Sequence, residues 1–304
     1  MEMFEASCVI DAKAELAEGP VWDERLGELI WIDIEGCHLH RYRPSDGGRR
    51  LYELPLKAGA AVPAEDGSWI LALEDGFYRF DWEASINPAL IARKSINPAL
   101  IARKWDDSDR PMRMNDGKCD PQGRFWAGSI NVGNEQLAAL FTLDPEGLVT
   151  KRLSGVVCSN GLAWNADGNT LYYIDTPTRV VSAFDYNGLT GEISNRRTVV
   201  SIPEGEGGPD GMTIDREGML WVAHWGGWQV SRWNPSTGEK LAIVRLPVAN
   251  VTSCTFGGEE LDELYITTAR AGLTEEEADK QPLAGGIFAV KPGIRGWPVM
   301  RYKG

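Results

Sequence analysis

A short apolar strand pattern that follows a polar, glycine-containing turn recurs six times along the chain. Its clearest copy lies within Gly208–Gly227, where the turn Asp215–Gly218 is followed by Met-Leu-Trp-Val-Ala. Each copy is followed by a second strand-like run that ends in another turn. Short strands that alternate with turns in this way predict β-structure. Aligned on one position, the six copies centre on Trp31, Leu71, Trp126, Tyr172, Trp221 and Tyr265.

The spacing of the six copies predicts the architecture. Successive centres are 40, 55, 46, 49 and 44 residues apart, close to the roughly 40–50 residues of a four-stranded propeller blade. We therefore predict an all-β, six-bladed β-propeller with a central channel, forming a single domain over residues 1–304. The strand-like segment Ser7–Ala14 precedes the first copy. We expect it to pair into the last blade and close the ring, because this would hide an exposed strand edge.

The one long spacing contains a perfect duplication. The decapeptide SINPALIARK occupies Ser85–Lys94 and again Ser95–Lys104, and without one copy the spacing of 55 residues would be 45. We interpret residues 85–104 as an insertion in or after the second blade, produced by duplication in DNA or by engineering; a new binding loop or a designed test of insertion tolerance stays open as the alternative. One copy is expected to form the outer strand of that blade. The other is expected to form a loop or helix-like excursion, since long surface insertions cost little closure entropy.

Charge and cysteine content narrow the classes of function. The chain carries 44 acidic and 31 basic residues, a formal net charge of −13. This balance argues against nucleic acid and against an anionic membrane surface as partners, and it favours a neutral small molecule or a cation. The five cysteines are widely spaced without a Cys-x-x-Cys pair, so we expect reduced thiols in a cytoplasmic protein. We expect neither a signal peptide nor a membrane span.

Four polar segments at the same phase of their blades predict a site. They are Glu18-Gly19-Pro20, Arg113–Gly117, Ser159-Asn160-Gly161 and Pro209-Asp210-Gly211. Each one alone resembles an ordinary turn, but four turns at a common phase would face one another at the mouth of the channel. Glu18, Asn160 and Asp210 would then offer two carboxylates and an amide oxygen. This set suits a hard or borderline divalent cation and leaves positions open for water and substrate.

These segments resemble the SMP-30/gluconolactonase family, also called regucalcin-like lactonases. The resemblance runs in order over nearly the whole chain and is carried by Leu16–Trp22, Asn115–Gly128, Ser159–Trp164, Tyr173–Asp175, Pro209–Asp215, Asn250–Gly258 and Leu264–Ala269. It implies a six-bladed propeller with one divalent cation in the channel, bound by Glu18, Asn160 and Asp210. Ca²⁺ is expected first, with Mg²⁺, Mn²⁺, Zn²⁺ and Fe²⁺ as alternatives. The implied reaction is hydrolysis of a sugar lactone to the aldonic acid, with Arg113 and Asn115 binding the substrate.

The chemistry expected of this site assigns the catalytic role to Asp210. Its carboxylate is the best candidate base for the attacking water, while the cation polarises the lactone carbonyl. The sequence has no Gly-x-Ser-x-Gly motif, which argues against a serine hydrolase. Asn131 lies where some family members carry a substrate-contacting glutamate, so no role is transferred to it.

The sequence leaves open two other functions and the role of one histidine. One rival is a non-catalytic, calcium-binding regulatory propeller, and the other is a promiscuous lactonase or esterase that also accepts phosphotriesters. We expect His38 and His40 to be structural. His224 is expected either to line the channel or to pack in the fold. The sequence gives no indication of the oligomeric state.

Overall fold

The structure, a computed structural model, describes residues 1–82, 94–95, 99–103 and 112–304. Six β-sheets of four or five strands contain all the strands of these residues. The first strand of each sheet packs against the first strand of the next, and the sixth packs against the first, so the sheets form a closed ring. The protein is therefore a six-bladed β-propeller, which confirms the fold predicted from the repeat.

Within each blade the strands follow the chain outward from the channel. Two strands, β1 (Glu2–Glu5) and β2 (Ser7–Ile10), precede the first blade. Blade one contains β3 (Ala17–Asp23), β4 (Glu28–Asp33), β5 (His38–Arg43) and β6 (Gly48–Glu53). Blade two contains β7 (Ala58–Pro63), β8 (Trp69–Leu73), β9 (Gly76–Phe80) and, after the short strand β10 (Lys94–Ser95), β11 (Ala99–Arg103). Blade three contains β12 (Met112–Cys119), β13 (Phe125–Asn131), β14 (Ala138–Leu143) and β15 (Val149–Val156).

The remaining three blades follow the same order. Blade four contains β16 (Ser159–Trp164), β17 (Thr170–Asp175), β18 (Val180–Tyr186) and β19 (Ile193–Ser201), with a 3₁₀ turn at Thr176–Thr178. Blade five contains β20 (Gly208–Ile214), β21 (Leu220–Trp225), β22 (Gln229–Trp233) and β23 (Lys240–Arg245). Blade six contains β24 (Val251–Gly257), β25 (Glu263–Thr268) and β26 (Ile287–Val290), with a short helix, α1 (Glu275–Lys280), between the last two.

The repeated turn and aromatic position fix the first two strands of a blade. In blade five the Asp215 carboxylate accepts hydrogen bonds from the backbone of the turn and, at 2.8 Å, from the indole nitrogen of Trp221. Gly218 in that turn has a φ of +80°, a conformation that glycine adopts without steric cost. Trp221 is completely buried between the sheets. In blade three Asp120 and Trp126 repeat this arrangement.

The amino-terminal segment closes the ring. Strand β2 pairs antiparallel with β26, with Cys8 opposite Phe288, and completes blade six as expected for this segment. Strand β1 continues into blade five, where it lies parallel to β23 with Met3 opposite Ile243. The first residues of the chain thus join the last two blades.

The duplicated decapeptide contributes strands to two blades. Strand β11, from the second copy, pairs antiparallel with β9 and forms the outer strand of blade two, the position expected for one of the copies. Strand β10 spans the junction of the copies and pairs parallel with β6 of blade one. The remaining duplicated residues, 85–93, 96–98 and 104, lie outside the described residues, and so does the expected loop or helix-like excursion.

Each innermost strand has a shift in pairing register at the same level. The shifts lie at Glu18/Val21, Ala58/Ala60, Met114/Gly117, Asn160/Leu162, Pro209/Met212 and Val251/Ser253. The prediction that the four polar segments form turns was therefore wrong, because all four lie inside strands. Glycine beside Asn or Asp favours a β-bulge as well as a turn, and a bulge re-aims the neighbouring side chains.

Two further expectations concern the thiols and the membrane. All five cysteines are free and lie among the described residues. Across residues 1–82, 94–95, 99–103 and 112–304, no helix has the length and apolar character that spanning a membrane requires.

Candidate functional site

The bulges of four innermost strands bring the predicted site residues to the channel. Glu18 lies in β3, Asn115 in β12, Asn160 in β16 and Asp210 in β20, and each is at most 6% exposed. The amide nitrogen of Asn115 donates to the amide oxygen of Asn160 at 3.0 Å, which joins blades three and four. The structure thus brings together side chains that are nearly 200 positions apart in the sequence.

Three buried carboxyl groups influence one another at this level of the channel. Burial, together with the charge of Asp116, raises the pKa of Glu18 to about 8. Burial and the charges of Glu18 and Asp116 raise the pKa of Asp210 well above its usual range. Within the described chain none of the three carboxylates forms an ion pair shorter than 4.0 Å. Burial thus disfavours the ionised form of these carboxyl groups, and a bound cation would favour it.

Arg113 lies at the edge of the cluster and orients Asn115. Its guanidinium donates to the Asn115 amide oxygen at 2.7 Å and to the Met114 carbonyl at 3.1 Å. On its other side it lies 3.6 Å from the Glu35 carboxylate in blade one. The positive charge lowers the pKa of both Glu18 and Asp210, although the effect is smaller than the rise that burial causes. Arg113 therefore adds a cationic hydrogen-bond donor beside the carboxylates.

Asn160 is held from the opposite side by Thr176. The Asn160 amide nitrogen donates to the Thr176 hydroxyl at 2.8 Å. The same hydroxyl donates to the carbonyl of Pro209 at 2.8 Å, the residue that precedes Asp210. One hydroxyl thus connects the side chain of Asn160 with the backbone that carries Asp210.

The set of donors fits a divalent cation when amide oxygens are counted. Among the described residues, no three His, Cys, Asp or Glu side chains form a group that could hold a metal ion by themselves. The candidate ligands are therefore the mixed set predicted from the sequence, two carboxylates (Glu18 and Asp210) and the Asn160 amide. Oxygen ligands of this kind are those that Ca²⁺ and Mg²⁺ prefer, and a bound cation would stabilise the ionised form of the carboxyl groups that burial disfavours.

Sequence reasoning did not assign roles to Asp116 and Thr176. Asp116 belongs to the same bulge as Asn115, and its position next to Asn115 in the Asn-Asp-Gly segment could have indicated that it lies at the site. Thr176 follows the Tyr173–Asp175 segment directly, but nothing in the local pattern indicates its contact with Asn160 and Pro209. That contact depends on how blades four and five pack together.

The three histidines make contacts within their own blades, and the rings of His38 and His40 lie edge-on with centroids 5.9 Å apart. His40 lies in β5 and stacks on Trp31 with ring centroids 4.8 Å apart. His224 lies in the second strand of blade five, not in the innermost one, and is completely buried. Its ring nitrogens contact the Ser231 hydroxyl at 2.5 Å and the Glu206 carbonyl at 2.7 Å. Of the two expectations for His224, packing in the fold is therefore the one that the structure supports.

Comparison with known proteins gives consistent results over almost the whole chain. The family model of the SMP-30/gluconolactonase/LRE-like region matches residues 16–270. Regucalcin from Xenopus laevis is 38% identical over 304 residues, which covers 97% of each protein. The putative sugar lactone lactonase YvrE from Bacillus subtilis strain 168 is 36% identical over 295 residues, again with 97% of each protein covered.

A solved structure supports the fold independently. The crystal structure of a calcium-binding protein, regucalcin, from Agrobacterium tumefaciens superposes with a TM-score of 0.91. The match covers 100% of this chain and 99% of that one, at 24% sequence identity. At this identity the likeness concerns the arrangement of the blades.

Proposed function

Because the chain belongs to the SMP-30/gluconolactonase/LRE-like family, we propose that it hydrolyses a sugar lactone to the aldonic acid with the help of a divalent cation. The observation that carries the proposal is the group of three buried carboxyl groups, without an ion-pair partner among the described residues, beside two asparagine amides at the channel. A similar protein bears the name putative sugar lactone lactonase. The five free thiols support a cytoplasmic location.

Each site residue has a role in this proposal. Glu18, Asn160 and Asp210 hold the cation, with Ca²⁺ as the first candidate and Mg²⁺, Mn²⁺, Zn²⁺ or Fe²⁺ as alternatives. When bound, the cation supplies Lewis-acid polarisation of the lactone carbonyl. Asp210 accepts a proton from the attacking water. Arg113 and Asn115 bind the hydroxyl groups of the substrate, since an arginine has five donors and the two hydrogen bonds that Arg113 makes to described residues use only one of its nitrogens.

The second candidate function is a non-catalytic calcium-binding propeller. It is favoured by the similarity to regucalcins, one of which is described as a calcium-binding protein. In this case the same three ligands would bind Ca²⁺ without turnover. A broader lactonase or esterase activity is a variant of the first proposal and would differ only in the range of substrates.

The test combines cation binding with turnover. The protein is stripped with EDTA, supplied with one divalent cation at a time, and assayed with a panel of aldonolactones through acid release in a pH-indicator assay. Asp210→Asn is compared with Asp185→Asn, whose carboxylate lies on the surface in an ion pair with Arg197. Cation-dependent turnover that only Asp210→Asn abolishes supports the lactonase.

The other outcomes are equally informative. Calcium binding without turnover on any lactone would favour the calcium-binding propeller, provided that a protein lacking Ser95–Lys104 behaves in the same way. Turnover in EDTA would contradict the role of the cation. Equal turnover in both variants would contradict the role of Asp210.

A further inference from the structure

The central channel has a second chamber at the end opposite the candidate site. The innermost strands begin near the site and run away from it, so the four residues from Asp210 to Ile214 correspond to ~13 Å along an extended strand. The chamber lies where these strands end and has a volume of about 200 Å³. Its main apolar walls are Trp22, Trp164, Ile214, Phe256, Trp297 and Met300.

The cover of this chamber comes from the carboxy-terminal segment. Trp297 and Met300 are each 42% exposed, although both are large and apolar. The indole nitrogen of Trp297 donates to the Asp215 carbonyl at 3.1 Å, which anchors the segment to blade five. Exposed apolar side chains that gather around an opening are typical of a binding site.

A lysine is among the residues that line the chamber. Lys118 in β12 lines the chamber and is half-buried. Its ammonium donates to the Met212 carbonyl at 2.8 Å. No carboxylate in the described part of the chain lies within ion-pair distance of it, and an ammonium has three donors. Burial lowers the pKa of Lys118, while the charge of Asp116 opposes this change.

From these features we infer that the chamber is a second binding site, for a single-ring aromatic carboxylate. An apolar cavity of ~150 Å³ holds benzene, so a chamber of about 200 Å³ has room for one ring and a carboxylate. Indole and phenyl side chains favour an aromatic ring, and the lysine supplies the charge that the carboxylate needs. The mainly apolar walls favour such a ring over a sugar lactone, whose several hydroxyl groups each need a hydrogen-bond partner.

The inference goes beyond the proposed lactonase activity and is tested without it. The full-length protein is titrated with benzoate, and binding is measured by calorimetry and by tryptophan fluorescence. Benzyl alcohol serves as the uncharged ring and acetate as the charge without a ring. We expect benzoate to bind at least tenfold more tightly than either.

Variants test whether the ligand binds in the chamber. Lys118→Met should weaken benzoate at least tenfold and leave benzyl alcohol unchanged, whereas Lys280→Met, which alters a lysine with a side chain 69% exposed, should change neither. Trp297→Ala should weaken both ring compounds, and its position at the surface makes it tolerable for folding. Asp210→Asn should leave benzoate binding intact.

Three results would overturn the assignment. The first is benzoate binding no tighter than that of benzyl alcohol or acetate. The second is benzoate affinity unchanged in Lys118→Met, or, if that variant does not fold, unchanged in Trp297→Ala. The third is loss of benzoate binding in Asp210→Asn, which would place the ligand at the other end of the channel.

Discussion

Thr176 offers a direct test of how the candidate cation site is held together. Its hydroxyl accepts from the Asn160 amide and donates to the Pro209 carbonyl, both at 2.8 Å. Thr176→Val keeps the shape of the side chain and removes both hydrogen bonds. The Asn160 amide nitrogen would then retain only the Cys158 sulfur, 3.5 Å away, as a partner in this structure. Its amide oxygen would keep the hydrogen bond from the Asn115 amide nitrogen at 3.0 Å but lose the support from the opposite side of the amide.

The size of the effect follows from the two lost contacts. A hydrogen bond contributes ~1 kcal/mol net in a protein, so two of them correspond to ~2 kcal/mol. A factor of ten in affinity is about 1.4 kcal/mol, and loss of a partner behind a metal ligand typically costs about 10–100-fold. We therefore expect Thr176→Val to weaken Ca²⁺ binding by about tenfold or more.

The assay is a calorimetric titration of EDTA-treated protein with Ca²⁺. Thr176→Ser keeps the hydroxyl and should bind within about twofold of the natural protein. Thr178→Val is the matched control, because it removes a hydroxyl from the same 3₁₀ turn that contacts only the Asp175 carbonyl. Equal affinities for Thr176→Val and Thr178→Val would refute the idea that this hydroxyl positions a ligand.

Three other predictions concern protonation and ring closure. Burial lowers the pKa of His40 and of His224 to about 4, so between pH 6.5 and 4 the unfolded chain binds protons that the folded chain does not. The free energy of unfolding should therefore fall as the pH falls through this range, by ~1.4 kcal/mol per pH unit for each histidine. When the free energy of unfolding is measured in urea at several pH values, it should depend less steeply on pH in His224→Gln. The same dependence on pH in both proteins would contradict this. Because the pKa of Glu18 is about 8 in the cation-free protein, Ca²⁺ binding at pH 7 should release protons and strengthen as the pH rises; binding heats that do not depend on the ionisation enthalpy of the buffer would count against it. Deleting residues 2–10 should lower the melting temperature far more than deleting residues 2–5, because only the longer deletion removes the strand that completes blade six; equal melting temperatures would argue against closure by β2.

The repeat made the fold predictable, whereas the local shape of the site was not. Six turn-and-strand units of similar length leave few alternatives to a propeller. Glu18, Asn160 and Asp210, which their common phase had grouped, lie in three innermost strands, and their role as ligands stays a prediction. The bulges were mistaken for turns because a glycine after Asn or Asp, such as Gly161 or Gly211, is typical of both structures. Both glycines lie where a Cβ atom would collide with a neighbouring innermost strand. The need for a residue without a Cβ atom arises from packing between blades, so the sequence of a single strand does not reveal it.

The electrostatic effects and the hydrogen-bond partners of individual side chains could be predicted only in part from the sequence. The sequence shows Asp116 beside Asn115, but only the structure shows its carboxyl close enough to raise the pKa of Glu18. In the same way, His224 lies near the end of an apolar strand that could have faced the channel. Its hydrogen bond to Ser231 depends on the register between β21 and β22, and its hydrogen bond to Glu206 depends on the loop before β20; the pattern specifies neither.

Pairing between β2 and β26 has a consequence for the order of assembly. The two strands are about 280 positions apart, so the sixth blade cannot be completed until nearly the entire chain has left the ribosome. Contacts between such distant residues form slowly, because the entropy of closing the loop must be lost before the contact stabilises anything. Until that moment β26 presents an open edge on which another chain can pair. We therefore expect aggregation during synthesis to depend on how fast this last pairing forms.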